Sequence, residues 1–151
     1  MSDLARNRVM RIDRRGRMTE FVRLEAPAAL ALSGTTLYVS SLASFIWRID
    51  VTTRAVTRVA GNGTPESTGD GGPALDAHVK TPHGLALDAD GHLYLEGGTA
   101  IRRIDAATGT ITTFHREGGS PAAFARDGTL YYVQGDPRFG GAVKRRARTA
   151  S

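Results

Sequence analysis

The chain reads as an all-β fold, a series of small sheets each built from four short antiparallel strands, and three observations predict it. An aliphatic-x-Arg-Ile-Asp core occurs three times, as Val9-Met10-Arg11-Ile12-Asp13, Ile46-Trp47-Arg48-Ile49-Asp50 and Ile101-Arg102-Arg103-Ile104-Asp105. A second family of segments interleaves with it: Leu37-Tyr38-Val39, Leu93-Tyr94-Leu95 and Leu130-Tyr131-Tyr132-Val133, each preceded by a run that begins at Pro27, Pro82 or Pro121. No stretch carries a helical period of any length, whereas short apolar runs bounded by Gly, Asp and Ser are frequent.

Taken in order, each unit supplies strands a, b, c and d. Strand a is Pro27–Leu32, Pro82–Leu87 or Pro121–Ala125, rich in Ala and Gly, which suits the crowded inner rim of a radial array. A turn at Ser33-Gly34, Asp90-Gly91 or Asp127-Gly128 leads to strand b, the Leu-Tyr segment. Strand c is the Arg-Ile-Asp segment. Strand d follows a short turn, at Met18–Val22, Ala55–Ala60 and Thr110–Phe114, where β-branched residues suit a half-buried sheet. The Asp of each Arg-Ile-Asp recurs once per unit, so Asp13, Asp50 and Asp105 read as turn residues accepting backbone N–H groups.

Four-stranded units repeating about every 40 residues are the pattern of β-propeller blades. The 151 residues then divide as one half-propeller domain: 1–24 as strands c and d of a split blade, 25–61 as the second blade, 62–81 as an inter-blade loop, 82–117 as the third blade, and 118–151 as strands a and b with a basic tail, in which 142–146 is a weak strand c. That is about three blades of four antiparallel strands. Because propellers close with about 4–8 blades, the expected solution is a homodimer in which the terminal strands of two chains share blades to complete a six-bladed ring. A fragment of a longer propeller, or an open arc capped by another partner, are the alternatives.

The residues also resemble a known family. Val59-Ala60-Gly61-Asn62-Gly63-Thr64, Gly69-Asp70-Gly71-Gly72-Pro73-Ala74 and Pro82-His83-Gly84-Leu85-Ala86-Leu87-Asp88 are similar to bacterial NHL-repeat β-propellers. The resemblance implies a propeller, usually six-bladed, whose faces bind ligands, proteins or RNA and occasionally catalyse; it does not imply one activity. The family's b–c loop is largely kept from Ser2-Asp3 to Asn7-Arg8, but it departs at Ser40–Ser44 and at Glu96–Ala100.

Composition bounds the function classes. There is no cysteine, so disulfides, thiolate metal sites and cysteine nucleophiles are excluded. No apolar run approaches the roughly 18 residues of a membrane span, and no signal-peptide h-region is visible, so the expected location is cytoplasmic with no membrane partner. The net charge of +5 is uneven: residues 1–23 carry +4 and 138–151 carry +5, leaving −4 between them. Arg145, Arg146 and Arg148 are therefore candidate anion-binding residues, and RNA binding through the basic termini is one reading. Aromatic residues are 7% of the chain and show no basic-aromatic alternation, which does not favour nucleic acid.

Candidate ligand-binding residues are His83, His78, Asp70, Asn62 and Trp47. His78 and His83 stand near the start of a strand a, facing a propeller channel. The Gly69–Gly72 run offers backbone N–H groups to an anion, or Asp70 to a cation. Trp47 breaks its repeat, since Met10 and Arg102 fill the same position, and reads as a ligand platform or an inter-blade contact. His92 and His115 read as solvated. No HxH, HxxxH or GxSxG pattern occurs, so no metal, cofactor or catalytic residue is assigned. The expected function is a non-enzymatic ligand- or protein-binding and assembly module, with a hydrolase or lyase site at the channel mouth as the competing class.

Overall fold

The computed structural model of the chain describes residues 1–136 and 140–146. Its strands are β1 (Ser2–Asp3), β2 (Arg8–Ile12), β3 (Met18–Arg23), β4 (Pro27–Ser33), β5 (Thr36–Ser41), β6 (Phe45–Asp50) and β7 (Val56–Ala60). They continue with β8 (Leu85–Leu87), β9 (Leu93–Glu96), β10 (Ile101–Ile104), β11 (Ile111–His115), β12 (Ser120–Phe124), β13 (Leu130–Asp136) and β14 (Gly140–Arg146). The one helical element among the described residues is a 3-10 turn at Leu4–Arg6.

The strands form four antiparallel sheets, ordered β1-β2-β3, β4-β5-β6-β7, β8-β9-β10-β11 and β12-β13-β14. The two inner sheets are the complete a-b-c-d units that the repeats predict. Strand β8 lies against β4 on one side and β12 on the other, so the a strands make the inner rim. The small residues there are required sterically: a Cβ on Gly84 would come 2.9 Å from the Pro121 carbonyl oxygen.

Each pair of neighbouring sheets encloses one apolar cluster. Val9, Phe21 and Leu24 of the first unit meet Val39 and Ile49 of the second. Ile46 and Ala60 meet Leu85, Leu93, Leu95, Ile104 and Ile111, while Ala86, Tyr94 and Ile101 meet Leu130 and Tyr132. Alternation along the strands does this, since neighbouring residues point to opposite faces. Val39 turns back to the first sheet while Tyr38 turns forward to the third.

The turn carboxylates behave as the repeat implies. Asp50 Oδ1 accepts from Thr52 and Thr53 N–H, Asp105 Oδ1 from Ala107 and Thr108, and Asp13 Oδ1 from Arg15 and Arg17.

One terminal segment differs from the expected division. Ser2–Asp3 is not only loop, because Ser2 pairs with Val9 and Asp3 with Arg8. The weak strand c read at 142–146 forms as β14, paired to β13 from Leu130↔Arg146 to Asp136↔Gly140. Its composition made the signal weak: Lys144 and Arg145 are exposed on an outer strand, where charge costs nothing and guards the edge.

Candidate functional site

The b–c loops and the connections from d to a share one end of the sheets, and Asn62, Asp70, His78 and His83 lie on one of those connections. The largest element at that end is the segment 61–84 between β7 and β8. It is tied down by buried Ala74, Ala77 and Val79, which enter the cluster between the second and third sheets. It also extends the third sheet: Gly71 N–H donates to the Ile111 carbonyl at 2.8 Å, Ile111 N–H to Gly72 at 3.0 Å, and Ala74 N–H to Gly109 at 2.9 Å. The Gly69–Gly72 run therefore does not present its N–H groups to an anion. Gly71 N–H serves the sheet, and Gly72 N–H donates to the Gly69 carbonyl.

Asp70 is committed in the same way. Its Oδ1 accepts from Arg102 Nη2 at 2.7 Å and Nε at 2.9 Å, and its Oδ2 accepts from Thr113 N–H and Thr113 Oγ1. Burial raises the Asp70 pKa, but the hydrogen bonds from Thr113 and Arg102 outweigh it and hold the carboxyl below its ordinary value. Arg102 is almost fully buried and gives two of its remaining donors to the carbonyls of His78 (2.8 Å) and Thr68 (3.0 Å). Sequence reasoning missed Arg102. The available signal was its position in the repeat, where an Arg replaces Met10 and Trp47 and demands a counter-ion.

The other candidates do not converge. His78 Nδ1 lies 3.0 Å from Thr68 Oγ1 and 3.2 Å from Glu66 Oε2. His83 is exposed, and among the described residues no hydrogen bond reaches its ring and none joins it to His78 or Asp70. Asn62 caps its own turn, accepting from Thr64 N–H at 3.0 Å. Trp47 packs against the cluster between the first two sheets and lies 5.5 Å from the Phe45 ring, so its surroundings are those of an inter-sheet contact. Arg145 is exposed on β14 opposite Tyr131, while Arg148 and the side chain of Arg146 lie outside the described residues.

At the opposite end, where the a–b and c–d turns meet, lies a cavity of about 420 Å³ lined by Asp88, His92, Tyr94, Arg103, Phe114 and Phe124 among others. His92 is not solvated as its turn position suggested. Its Nδ1 accepts from Ala106 N–H at 3.0 Å and its Nε2 lies 3.1 Å from Arg103 Nη2. His115 is likewise held, 3.1 Å from the Tyr132 hydroxyl. Asp88, Asp90 and His92 place one ligand atom each within 4.8 Å of one another, yet Asp88 already accepts from two backbone N–H groups and from Tyr94 Oη. The cluster is a closed turn network.

Radial sheets with a strands innermost give the architecture, and comparison with known proteins gives the family. The family model described as the teneurin NHL domain matches residues 49–124, half of the chain. The chain belongs to the teneurin NHL domain family. Within it, the chain is 47% identical over 45 residues to teneurin-1 of Gallus gallus and 44% identical over 45 residues to teneurin-3 of Mus musculus, in each case 30% of this chain and 2% of the relative. It thus spans a small fraction of the curated relatives it matches. Solved structures show the same NHL-type propeller fold. A protein of unknown function from Bacteroides thetaiotaomicron aligns over 94% of this chain and 42% of its own, at TM-score 0.70 and 18% identity. The nidogen/laminin complex aligns over 91% and 56%, at TM-score 0.65 and 15% identity. A virginiamycin B lyase from Staphylococcus aureus, solved in a catalytically inactive form with quinupristin, aligns over 98% and 51%, at TM-score 0.60 and 16% identity. The teneurin NHL domain family and these folds agree with the repeat-based prediction of an NHL-repeat β-propeller.

Proposed function

We propose that this chain is a non-enzymatic binding and assembly module whose working form is a self-associated propeller. The observation that carries the reading is the contrast between sheets. The two inner sheets have four strands each, and the two terminal sheets have three. A propeller sheet is stabilised by a neighbour on each face, and an end sheet has only one. The polar residues at the loop end support the same reading, since Asp70, Arg102 and His78 are engaged in holding the 61–84 segment to the third sheet. The exposed Lys144 and Arg145 on β14 offer a contact for an anionic surface or ligand. Size-exclusion chromatography with light scattering tests the reading directly. The expected mass is twice 16.1 kDa at micromolar concentration, and a single-chain mass would overturn it.

A further inference from the structure

Three departures from the repeat meet in one place, the cavity between the third and fourth sheets at the end where the a–b and c–d turns lie. Its volume of about 420 Å³ falls within the roughly 300–1,000 Å³ of small-molecule sites. Thr36 and Thr129 stand before the leucine of their Leu-Tyr segments, but His92 stands before Leu93. Leu30 and Leu85 hold one position of strand a, and Phe124 holds it in the fourth sheet. Arg11 and Arg48 are exposed, whereas Arg103, at the same position of its unit, is half-buried in the cavity wall. The other units form their sheets without these features.

The polar groups of the cavity are mismatched. Two donors address the His92 ring, Ala106 N–H at Nδ1 (3.0 Å) and Arg103 Nη2 at Nε2 (3.1 Å), and an imidazole offers at most one acceptor to them. The Ala106 N–H is fixed by its turn, so Nδ1 accepts it and Nε2 carries the proton. Nε2–H then faces Arg103, which has donors only. Asp105 Oδ2 accepts from Arg103 Nη2 at 2.7 Å, but Arg103 Nε is buried with no hydrogen-bond partner among the described residues. Arg126, exposed at the same cavity, makes no ion pair among the described residues. A donor held from both water and an acceptor is costly, and what this cavity lacks is an acceptor. Its two carboxylates are held by their turns: Asp88 accepts from Asp90 N–H, His92 N–H and Tyr94 Oη, and Asp127 Oδ1 from Thr129 N–H.

We propose that this cavity binds a small carboxylate with an aromatic body, of the arylacetate class. The carboxylate supplies the missing acceptor to His92 Nε2–H and Arg103, and a guanidinium takes a carboxylate through paired N–H donors. The body lies against Phe114 and Phe124, both half-buried, whose rings stand 4.8 and 4.6 Å from that of Tyr94 and form the apolar wall. The third and fourth sheets of one chain supply all of these groups, so the site is independent of the self-association proposed above.

Calorimetric titration of the full chain with phenylacetate tests the site, beside acetate, inorganic phosphate and phenethylamine. Phenylacetate should bind saturably, acetate more weakly, and phenethylamine, which keeps the ring without the carboxylate, not at all. His92→Thr restores the residue found in the other units, and Arg103→Lys keeps the charge without the paired donors. Each should weaken phenylacetate about tenfold, as the loss of one charge-assisted hydrogen bond implies. Phe124→Leu should weaken phenylacetate and leave acetate unchanged. If a variant fails to fold by circular dichroism, nitrogen NMR of the unmodified chain carries the test: His92 Nε2 should shift on adding phenylacetate while the His78 and His83 rings stay in place. Absence of phenylacetate binding at millimolar concentration overturns the site. Phosphate binding as tightly as phenylacetate would make it a general anion patch, and phenethylamine binding would assign the cavity to Asp88 and Asp127, and either result overturns the proposal. Folded His92→Thr and Arg103→Lys variants with unchanged affinity would put the ligand elsewhere.

Discussion

Arg102 and Asp70, 32 residues apart, form the ion pair that fastens the longest connection of the protein to its third sheet. The guanidinium side chain is 2% exposed and the carboxylate 43%, so the charge at risk is the arginine's. Removing the partner of a buried charge is costly, at about 3 kcal/mol. Asp70→Ala should therefore lower the urea midpoint strongly. Arg102→Met restores the residue type found at Met10 in the first unit. Added to Asp70→Ala, it should recover part of the loss, because the uncompensated charge is gone. If the double variant is less stable than Asp70→Ala alone, the pair is not the fastening described.

The turn aspartates set an acid limit on stability. Asp13 is held below its ordinary pKa chiefly by the Arg17 N–H, Asp50 by Thr53, Asp105 by Thr108 and Asp127 by Thr129. A depressed folded-state value means that the unfolded chain binds more protons near its own pKa of about 3.9. The stabilisation is complete above that pH and is lost as pH falls through the folded values. Unfolding followed by circular dichroism from pH 7 to pH 2.5 should show a plateau and then a steep decline below about pH 4. Asp50→Asn should flatten that decline, and a variant with the unchanged profile would assign the limb to other groups.

Backbone geometry singles out Gly61. It has φ +82°, and a Cβ there would collide with the Ser44 carbonyl oxygen. Gly16 has nearly the same angle, +77°, with nothing within 4 Å. Gly16→Ala should cost about 1 kcal/mol from conformation alone, and Gly61→Ala clearly more. Thermal melts of the two variants side by side separate collision from torsion, and equal shifts would contradict the close approach.

Much of this architecture is legible in the residues because the repeat is written in local terms. Arg-Ile-Asp fixes strand c and the turn after it, and Leu-Tyr fixes strand b and which face looks forward. The Asp-Gly pairs at 90–91 and 127–128 mark the hairpins. What escaped is non-local or compositionally disguised. Asp70 reads as a ligand because its partner is 32 residues away in sequence. His92 reads as solvated because nothing nearby in sequence announces Ala106 or Arg103. Strand β14 reads only as a weak strand c because an edge strand can carry Gly and basic residues that a central strand would not tolerate.

Charge gives the association a salt dependence of unusual sign. The first 23 residues carry +4, and residues 138–151 carry +5. The self-association proposed above brings these ends of two chains together, with exposed Arg145 on β14 of one and exposed Arg11 on β2 of the other. At low ionic strength, repulsion among exposed like charges extends over about 30 Å at 0.01 M, and it shrinks to about 8 Å at 0.15 M. The apolar contact itself is little affected by salt in this range. Dimerisation measured by analytical ultracentrifugation should therefore strengthen as sodium chloride rises from roughly 10 to 150 mM, across which the screening length falls. An interface held by opposite charges would weaken instead, and that result would place the basic ends of the two chains apart from one another.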